Sequence, residues 1–353
     1  MFENIVGNEH IKEYLQRMVE RNAIANSLLF AGPEGIGKSL FAHALAKKLL
    51  GSDNHPDLHV YRPEGKVGMH SIDSLRQFNE AVYMAPFQGK WKVFIIHDAE
   101  RMLTYSANAL LKTFEEPASD ALIILLSCAP ASLLPTILSR CRTIHFHAIS
   151  TEAMANLLQD RWKVPPDKAI ALAALAHGSI GAAVRLLEQG EDPVRELLIK
   201  FLAQGKFESY KELTAAAVAI TEKIEEVKQL SEESVKGTLF QGSDEYLTAV
   251  QKESLQKEVD GALAVRQMHE AQALFDVISG WYRDLHLLKY NGFKELLYHG
   301  SHQNLLEQSL QRGQWLEFDD VQKILKDVRL ALERSTSLSI ALETLFLRLN
   351  LIG

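Results

Sequence analysis

A glycine-rich octapeptide from Gly32 to Ser39 is the strongest chemical signal in the chain. It reads Gly-Pro-Glu-Gly-Ile-Gly-Lys-Ser and matches G-x-x-x-x-G-K-[ST], the pattern of loops that bind nucleotide phosphates. Its glycines let backbone N–H groups converge on phosphate oxygens, and the following helix adds its dipole. The residues expected to contact nucleotide are Gly32, Gly35, Ile36, Gly37, Lys38 and Ser39. A former nucleotide site kept only as a turn would leave the same pattern.

The chemistry expected of this loop is ATP or ADP binding, with Mg²⁺ entering only together with nucleotide. Lys38 would reach the β- and γ-phosphates, and Ser39 would ligate the metal.

The segment after a second apolar run lacks the carboxylates of a hydrolytic site. P-loop enzymes place an Asp there to hold Mg²⁺, and in many a neighbouring residue orients the attacking water. Here Val93–Ile96 is followed by His97 and Asp98, and a neutral imidazole is a poor ligand for Mg²⁺. A register shift that makes Asp98 the metal ligand would leave Ala99 in the catalytic position. Both alignments predict loss of hydrolysis, unless Glu100 compensates from one turn away.

The elements that must position these residues alternate between strand and helix over residues 1–150. The predicted strands are Ser27–Ala31, Trp91–Ile96 and Ala121–Leu126, and the predicted helices include Leu40–Leu50 and Ser106–Glu116. Near-continuous apolar strands indicate a sheet that is covered on both faces. This order predicts an α/β fold with a mostly parallel sheet.

Beyond Ser150 the sequence predicts helices only. Residues 151–188 are typical of a few short helices, and Gly190–Pro193 is a plausible linker. From Val194 onward the pattern is helical, with an i, i+3, i+4, i+7 apolar stripe between Val321 and Leu349. The charged segment Thr221–Lys236 fits a solvated helix face better than a partner-binding helix.

Composition narrows the function classes. The 353 residues carry a net charge of −7, which argues against a stand-alone DNA-binding protein. No apolar run is long enough for a transmembrane helix, and the first residues do not have the pattern of a signal peptide. The two cysteines, Cys128 and Cys141, cannot build a disulfide framework, so a reducing cytoplasm fits best.

Four stretches together resemble bacterial clamp-loader subunits of the AAA+ class, found in the DNA polymerase III holoenzyme. They are Phe2–Gly7, Gly32–Ser39, Asn108–Pro117 (NALLKTFEEP) and Ser139–Cys141 (the SRC motif). The resemblance implies an AAA+ P-loop domain over 1–150, a helical lid over 151–190 and an oligomerising helical collar over 194–353. It also implies that Val6 and Gly7 belong to the adenine pocket.

The family contains gamma/tau subunits, which hydrolyse ATP, and delta prime subunits, which act as a non-hydrolysing stator. Three departures from the gamma/tau pattern favour delta prime: His97-Asp98 at the metal strand, Gly181 in place of the sensor-2 arginine, and Ser127-Cys128 at the sensor-1 position. The intact Lys38-Ser39 pair argues the other way.

Within this resemblance, Arg140 of the SRC motif is expected to be an arginine finger. It would reach the γ-phosphate of a neighbouring subunit, because the guanidinium fork suits phosphate oxygens. The alternative is a surface arginine in an ion pair at a helix end. Family members usually carry a four-cysteine zinc module after the P-loop helix. Residues 50–59 contain no cysteine, so no zinc is expected.

The expected partners are gamma/tau and delta subunits, the sliding clamp, and primed DNA through the assembled complex, with no membrane. One alternative is a gamma/tau-like ATPase. Another is a small-molecule kinase, which would need several lid arginines, whereas residues 151–190 contain only Arg161 and Arg185.

Overall fold

The computed structural model describes residues 1–65, 67–103, 110–189, 192–239, 249–312, 315–333 and 336–351, with backbone only for 188–189, 227–239, 249–252, 254, 295 and 333. The described residues of 1–190 and 247–262 form one compact unit, and those of 191–246 and 263–353 form another. The predicted division into three domains at 150 and 190 stays a prediction.

A five-stranded sheet lies at the centre of the first unit. Its strands are β1 (Ser27–Ala31), β2 (Leu58–Tyr61), β3 (Lys92–Ile96), β4 (Ala121–Ser127) and β5 (Arg142–His145), in the spatial order β2-β3-β4-β1-β5. Every neighbouring pair is parallel, which confirms the predicted parallel α/β fold. The sequence analysis did not predict β2, whose four residues are all half-buried.

The sheet is covered on both faces, as the apolar strands predicted. Successive side chains point to opposite sides, so that Phe30 and Ile95 join one core cluster while Leu29 and Phe94 join another. The helices of this part are α1 (Glu9–Glu20), α2 (Lys38–Leu50), α3 (Ile72–Tyr83), α4 (Leu111–Glu115) and α5 (Pro135–Leu138). Residues 104–109, and with them Asn108 and Ala109 of the motif, lie outside the described residues.

Three short helices follow the sheet, in agreement with the sequence. They are α6 (Thr151–Trp162), α7 (Pro166–Leu175) and α8 (Ile180–Gln189). Ser150 caps α6 by accepting a hydrogen bond from the backbone N–H of Ala153, and Pro166 stands at the first position of α7, where no N–H is needed. Gly178 adopts a left-handed φ of +81°, and its carbonyl accepts a hydrogen bond from Ile149 N at 3.0 Å.

The second unit is built from helices around one apolar core. The helices from residue 193 onward are α9 (Pro193–Gln204), α10 (Tyr210–Leu239), α11 (Ala249–Lys289), α12 (Gln303–Arg312), α13 (Phe318–Glu333) and α14 (Leu338–Arg348). The predicted stripe is buried, with Val321 and Leu342 both fully enclosed. Within the described ranges, no helix is long and apolar enough to cross a membrane.

Candidate nucleotide site

A cavity of about 330 Å³ lies at the carboxyl ends of β1, β3 and β4, where parallel sheets commonly bind ligands. Its lining residues are Glu34, Gly35, Gly37, Lys38, Ser39, Leu40, His97, Asp98, Leu126, Ser127, Cys128, Ile180 and Gly181. The fold therefore brings together the glycine loop, residues 97–98 after β3, and the two positions that the sequence resemblance assigns to sensor 1 and sensor 2, which are far apart in the chain.

The glycine loop connects β1 to α2, the context that its motif requires. Gly35 and Gly37 adopt left-handed φ values of +72° and +95°, which side chains rarely tolerate. Lys38 Nζ donates to the carbonyl oxygens of Gly32 and Pro33, both at 2.6 Å. Burial lowers the pKa of this ammonium, which nearby Cys128 and acidic groups oppose. Lys38 is thus held by its own loop at the edge of the cavity.

The start of α8 lies directly against this loop. Gly181 N donates to Gly35 O at 3.1 Å, and a Cβ on Gly35 would stand only 2.2 Å from Ser179 Oγ. Gly181 presents no side chain to the cavity. The exposed Arg185, one turn later, has Nη1 3.6 Å from the point where a Cβ on Gly181 would lie. The guanidinium that the sequence lacks at 181 is therefore present nearby, although it does not line the cavity.

His97 directly follows β3, at the position where the sequence analysis expected a metal-binding carboxylate. Its backbone N donates to Tyr61 O at 2.9 Å, and its carbonyl contacts His70 Nε2 at 2.7 Å. Its ring Nε2 is buried and has no hydrogen-bond partner among the described residues. Burial, followed by the positive charge of Arg62 and then by His43 and His70, lowers the pKa of His97 to about 3. The ring is therefore neutral at pH 7.

Two carboxylates follow His97, and both interact with other groups. Asp98 has a left-handed φ of +47° and precedes a 3₁₀ turn at Ala99–Arg101, and its charge acts on Arg62. Glu100 Oε1 accepts hydrogen bonds from Cys128 N at 3.2 Å and Cys128 Sγ at 2.7 Å. Glu100 Oε2 is buried without a partner in the described part of the chain. Glu100 therefore approaches the site, as the sequence left open, but does not line the cavity.

The residues present do not fit Mg²⁺ at the position where the fold would hold it. Mg²⁺ strongly prefers oxygen ligands in octahedral geometry, whereas position 97 offers a neutral ring nitrogen. Throughout the described ranges, no group of three or more His, Cys, Asp or Glu side chains is arranged to hold a metal ion. The metal role expected of Ser39 stays a prediction.

Four predicted nucleotide-binding residues lie beside the cavity rather than on its wall. Ile36 is buried in the sheet core, and a Cβ on Gly32 would stand 2.5 Å from Phe146 O. Val6 packs on the apolar cluster of α6–α8, and a Cβ on Gly7 would stand 2.8 Å from Ile149 Cγ1. Gly32 and Gly7 therefore permit close backbone packing. Contact of these four residues with nucleotide stays a prediction.

Arg140 lies away from the cavity, on the turn after α5. Its Nη1 donates to Thr136 O at 2.8 Å, and its Nη2 forms an ion pair with Glu115. The ion pair considered as an alternative is thus present, and the finger role stays a prediction. The adjacent Cys141 is buried, which raises its pKa to about 12 and keeps it a thiol.

Sequence reasoning missed Arg62 and His70 beside the site. Arg62 directly follows β2, the strand that was not predicted, so nothing assigned it to the carboxyl edge of the sheet. His70 lies in a loop, and only its contact with the carbonyl of His97 relates it to the cavity. A stronger signal for β2 would have identified Arg62 but not His70.

The chain is similar to known subunits of DNA polymerase III, in agreement with its sequence motifs. Residues 48–150 match the profile of a family described as "DNA polymerase III, delta subunit". The chain is 30% identical over 200 residues to DNA polymerase III subunit delta' of Bacillus subtilis, covering 51% of this chain and 59% of the relative. It is 34% identical over 189 residues to the delta' subunit of Pseudomonas aeruginosa, covering 47% and 57%.

The tau subunit of DNA polymerase III from Bacillus subtilis is 28% identical over 210 residues, with coverage of 53% of this chain and 37% of the relative. The matched part of the chain therefore spans less than two thirds of each relative. The resemblance predicted from the four sequence stretches is confirmed by these similarities to delta' and tau subunits.

Proposed function

Because this chain is similar to clamp-loader subunits of bacterial DNA polymerase III, with delta' relatives at 30% and 34% identity, we propose that it is a clamp-loader stator of the delta prime type. In this role it assembles in the cytoplasm with gamma/tau and delta subunits. It helps these partners to load the sliding clamp onto primed DNA. Residues 1–150 serve as the AAA+ P-loop domain, 151–190 as the lid and 194–353 as the collar.

The observation that carries the proposal is His97 in the wall of the P-loop cavity. A neutral imidazole stands where a hydrolytic site needs a carboxylate, and Gly181, which also lines the cavity, offers no guanidinium. Position 97 therefore lacks the carboxylate that would hold Mg²⁺, and position 181 lacks the guanidinium that would stabilise a transferring phosphoryl group. The cavity thus has a phosphate-binding loop but lacks two groups that hydrolysis needs, so it is suited to binding a nucleotide without cleaving it.

The direct test is ATP turnover by the purified chain, with Lys38→Ala as the variant and a gamma/tau subunit as the positive control. We expect background turnover for both the wild type and the variant. Robust turnover that Lys38→Ala abolishes would contradict the stator role.

Arg140 is proposed to act in trans on the ATP of a neighbouring subunit. Its support is the SRC motif and a partly exposed guanidinium that contacts Glu115, Thr136 O and Ser139 Oγ on its own surface. The guanidinium of Arg140 is planar and permanently charged, so it can exchange the carboxylate of Glu115 for phosphate oxygens and remain a cation.

The test of Arg140 is ATP turnover by the reconstituted loader in the presence of clamp and primed DNA. A finger contributes about 10³–10⁵ in rate at the site it serves, so Arg140→Ala should silence one site and lower total turnover by at least that site's share. Arg140→Lys should rescue poorly, because an ammonium lacks the fork. Arg142→Ala is the matched control, since Arg142 packs over the Tyr14 ring at 5.0 Å. Unchanged turnover in Arg140→Ala would leave the chain as a scaffold.

A gamma/tau-like ATPase is the second candidate, and Glu100 favours it. This carboxylate lies close enough to Lys38 for its charge to oppose the burial that lowers the pKa of the ammonium, and its Oε2 has no partner among the residues described. If Glu100 orients water, the purified chain should hydrolyse ATP, and Glu100→Gln should abolish the turnover.

A further inference from the structure

We propose that the P-loop cavity binds the phosphate groups of a nucleotide without Mg²⁺. This inference rests on the nucleotide-binding part of the proposed function and goes beyond it. Related loops bind a metal–nucleotide complex, in which the metal bridges phosphate oxygens and a carboxylate on the adjacent strand. In this chain the phosphate groups would contact the loop and His97 directly, with no metal ion between them.

The first support is the unsatisfied nitrogen of His97. Its Nε2 is buried and finds no partner in the described ranges, although a buried polar group without a hydrogen bond is costly. A phosphate oxygen in the cavity would supply an acceptor for the N–H form of this nitrogen. A metal cation would be unfavourable beside this ring. Burial and then the positive charge of Arg62 already disfavour the cationic form of His97, and they would disfavour a further positive charge in the same way.

The second support is the engagement of the remaining carboxylates. Asp98 also lines the cavity, but it leaves β3 in a left-handed conformation and its charge acts on Arg62. Glu100 directs Oε1 to the backbone and thiol of Cys128 and is not part of the cavity wall. Glu34 lines the cavity but belongs to the exposed loop itself, not to a strand end. None of the three takes the place of the missing strand-end ligand.

The third support is that positive charge is already available to the phosphates. Lys38 Nζ makes its contacts with the carbonyls of Gly32 and Pro33, so movement of one side chain would transfer it from backbone oxygens to phosphate. The loop N–H groups and the start of α2 add favourable dipoles. Binding of this kind needs no bridging metal.

The experiment is calorimetric titration of the full chain with ADP, in excess Mg²⁺ and again in excess EDTA. We expect the two dissociation constants of the wild type to agree within about twofold. His97→Asp should restore the missing ligand, so removal of Mg²⁺ should weaken its ADP binding about ten- to a hundredfold, the scale of a charge-assisted contact. His97→Asn, which adds no charge, should stay insensitive to Mg²⁺.

His145→Asp is the matched control, because it introduces the same charge at an exposed position at the end of β5. Its ADP binding should resemble that of the wild type in both solutions. If His97→Asp does not fold, the wild type and His97→Asn still decide the question.

Weaker wild-type binding in EDTA by tenfold or more would overturn the inference, and loss of that difference in Asp98→Asn would identify Asp98 as the metal ligand. Absence of ADP binding in both solutions would also overturn it. Neither result bears on the stator role, which fails instead if the chain does not co-purify with gamma/tau and delta subunits or if it turns over ATP by itself.

Discussion

Two buried polar clusters of this chain differ in how completely they are satisfied. In the helical unit, the fully buried Asp284 accepts hydrogen bonds from Tyr298 N at 3.0 Å and His299 N at 2.7 Å, and His299 Nε2 contacts Val277 O at 3.0 Å. At the carboxyl end of β3, by contrast, His97 Nε2 is buried without a partner in the described part of the chain.

The difference separates a structural role from a binding role. A satisfied carboxylate fixes a loop against a helix and leaves nothing for a ligand to add. An unsatisfied group beside a cavity of about 330 Å³ retains hydrogen-bonding capacity that a ligand can use. Perturbing the first cluster should therefore change folding, and perturbing the second should change ligand response.

The largest effect is expected from Asp284→Ala. The change leaves the buried N–H of His299 and the partly buried N–H of Tyr298 without acceptors, at about 1–3 kcal/mol each, so the free energy of unfolding should fall by about 2–6 kcal/mol. Asp319→Ala, at an exposed position in the same unit, should change it by no more than about 1 kcal/mol. Urea titrations of the three proteins provide the measurement. Equal stability of the two variants would show that the Asp284 cluster is not structural.

Nucleotide should stabilise the sheet cluster and leave the helical cluster unchanged. At a hundredfold excess over the dissociation constant, the stabilisation is about 2.7 kcal/mol. Hydrogen exchange with and without ADP should show slower exchange near residues 35–39 and 97–98, with no change at 298–299. Equal protection of both regions would remove the distinction between the two clusters.

Acid should destabilise the chain through His97. Its pKa of about 3 in the folded protein lies below the unfolded value of about 6.5, so the unfolded chain binds more protons between these values. The stabilising contribution is complete above pH 6.5 and is lost as the pH falls towards 3, at up to about 1.4 kcal/mol per pH unit. His97→Asn should reduce this slope in urea titrations at several pH values. Identical slopes would mean that His97 titrates normally.

The smallest effect is expected from the Arg140–Glu115 ion pair. Both side chains are partly exposed, at 32% and 48%, and surface pairs contribute about 0–1 kcal/mol. Glu115→Gln should therefore leave the unfolding midpoint nearly unchanged while releasing Arg140. A loss well above 1 kcal/mol would make the pair structural and weaken the proposal that Arg140 is free to act in trans.

Local patterns in the sequence were enough to predict several elements of the fold. The apolar runs of β1, β3 and β4 predict a doubly covered parallel sheet, because only such a sheet buries both sides of a strand. The glycine motif predicts the loop before α2. The presence of His97 directly after β3 predicts that this position offers no carboxylate for Mg²⁺. Helical periodicity predicts the buried stripe near the C-terminal end.

Which side chains come into contact depends on the tertiary structure and could not be predicted from local patterns. The short half-buried β2 has no clear apolar pattern, so its pairing with β3, and the approach of Arg62 to His97, depend on the assembled sheet. Glu100, which follows β3, reaches Cys128, 28 positions later, because the chain returns there to the adjacent strand β4. Arg140 pairs with Glu115 for the same reason. Such contacts depend on distances in space, which spacing along the chain does not encode.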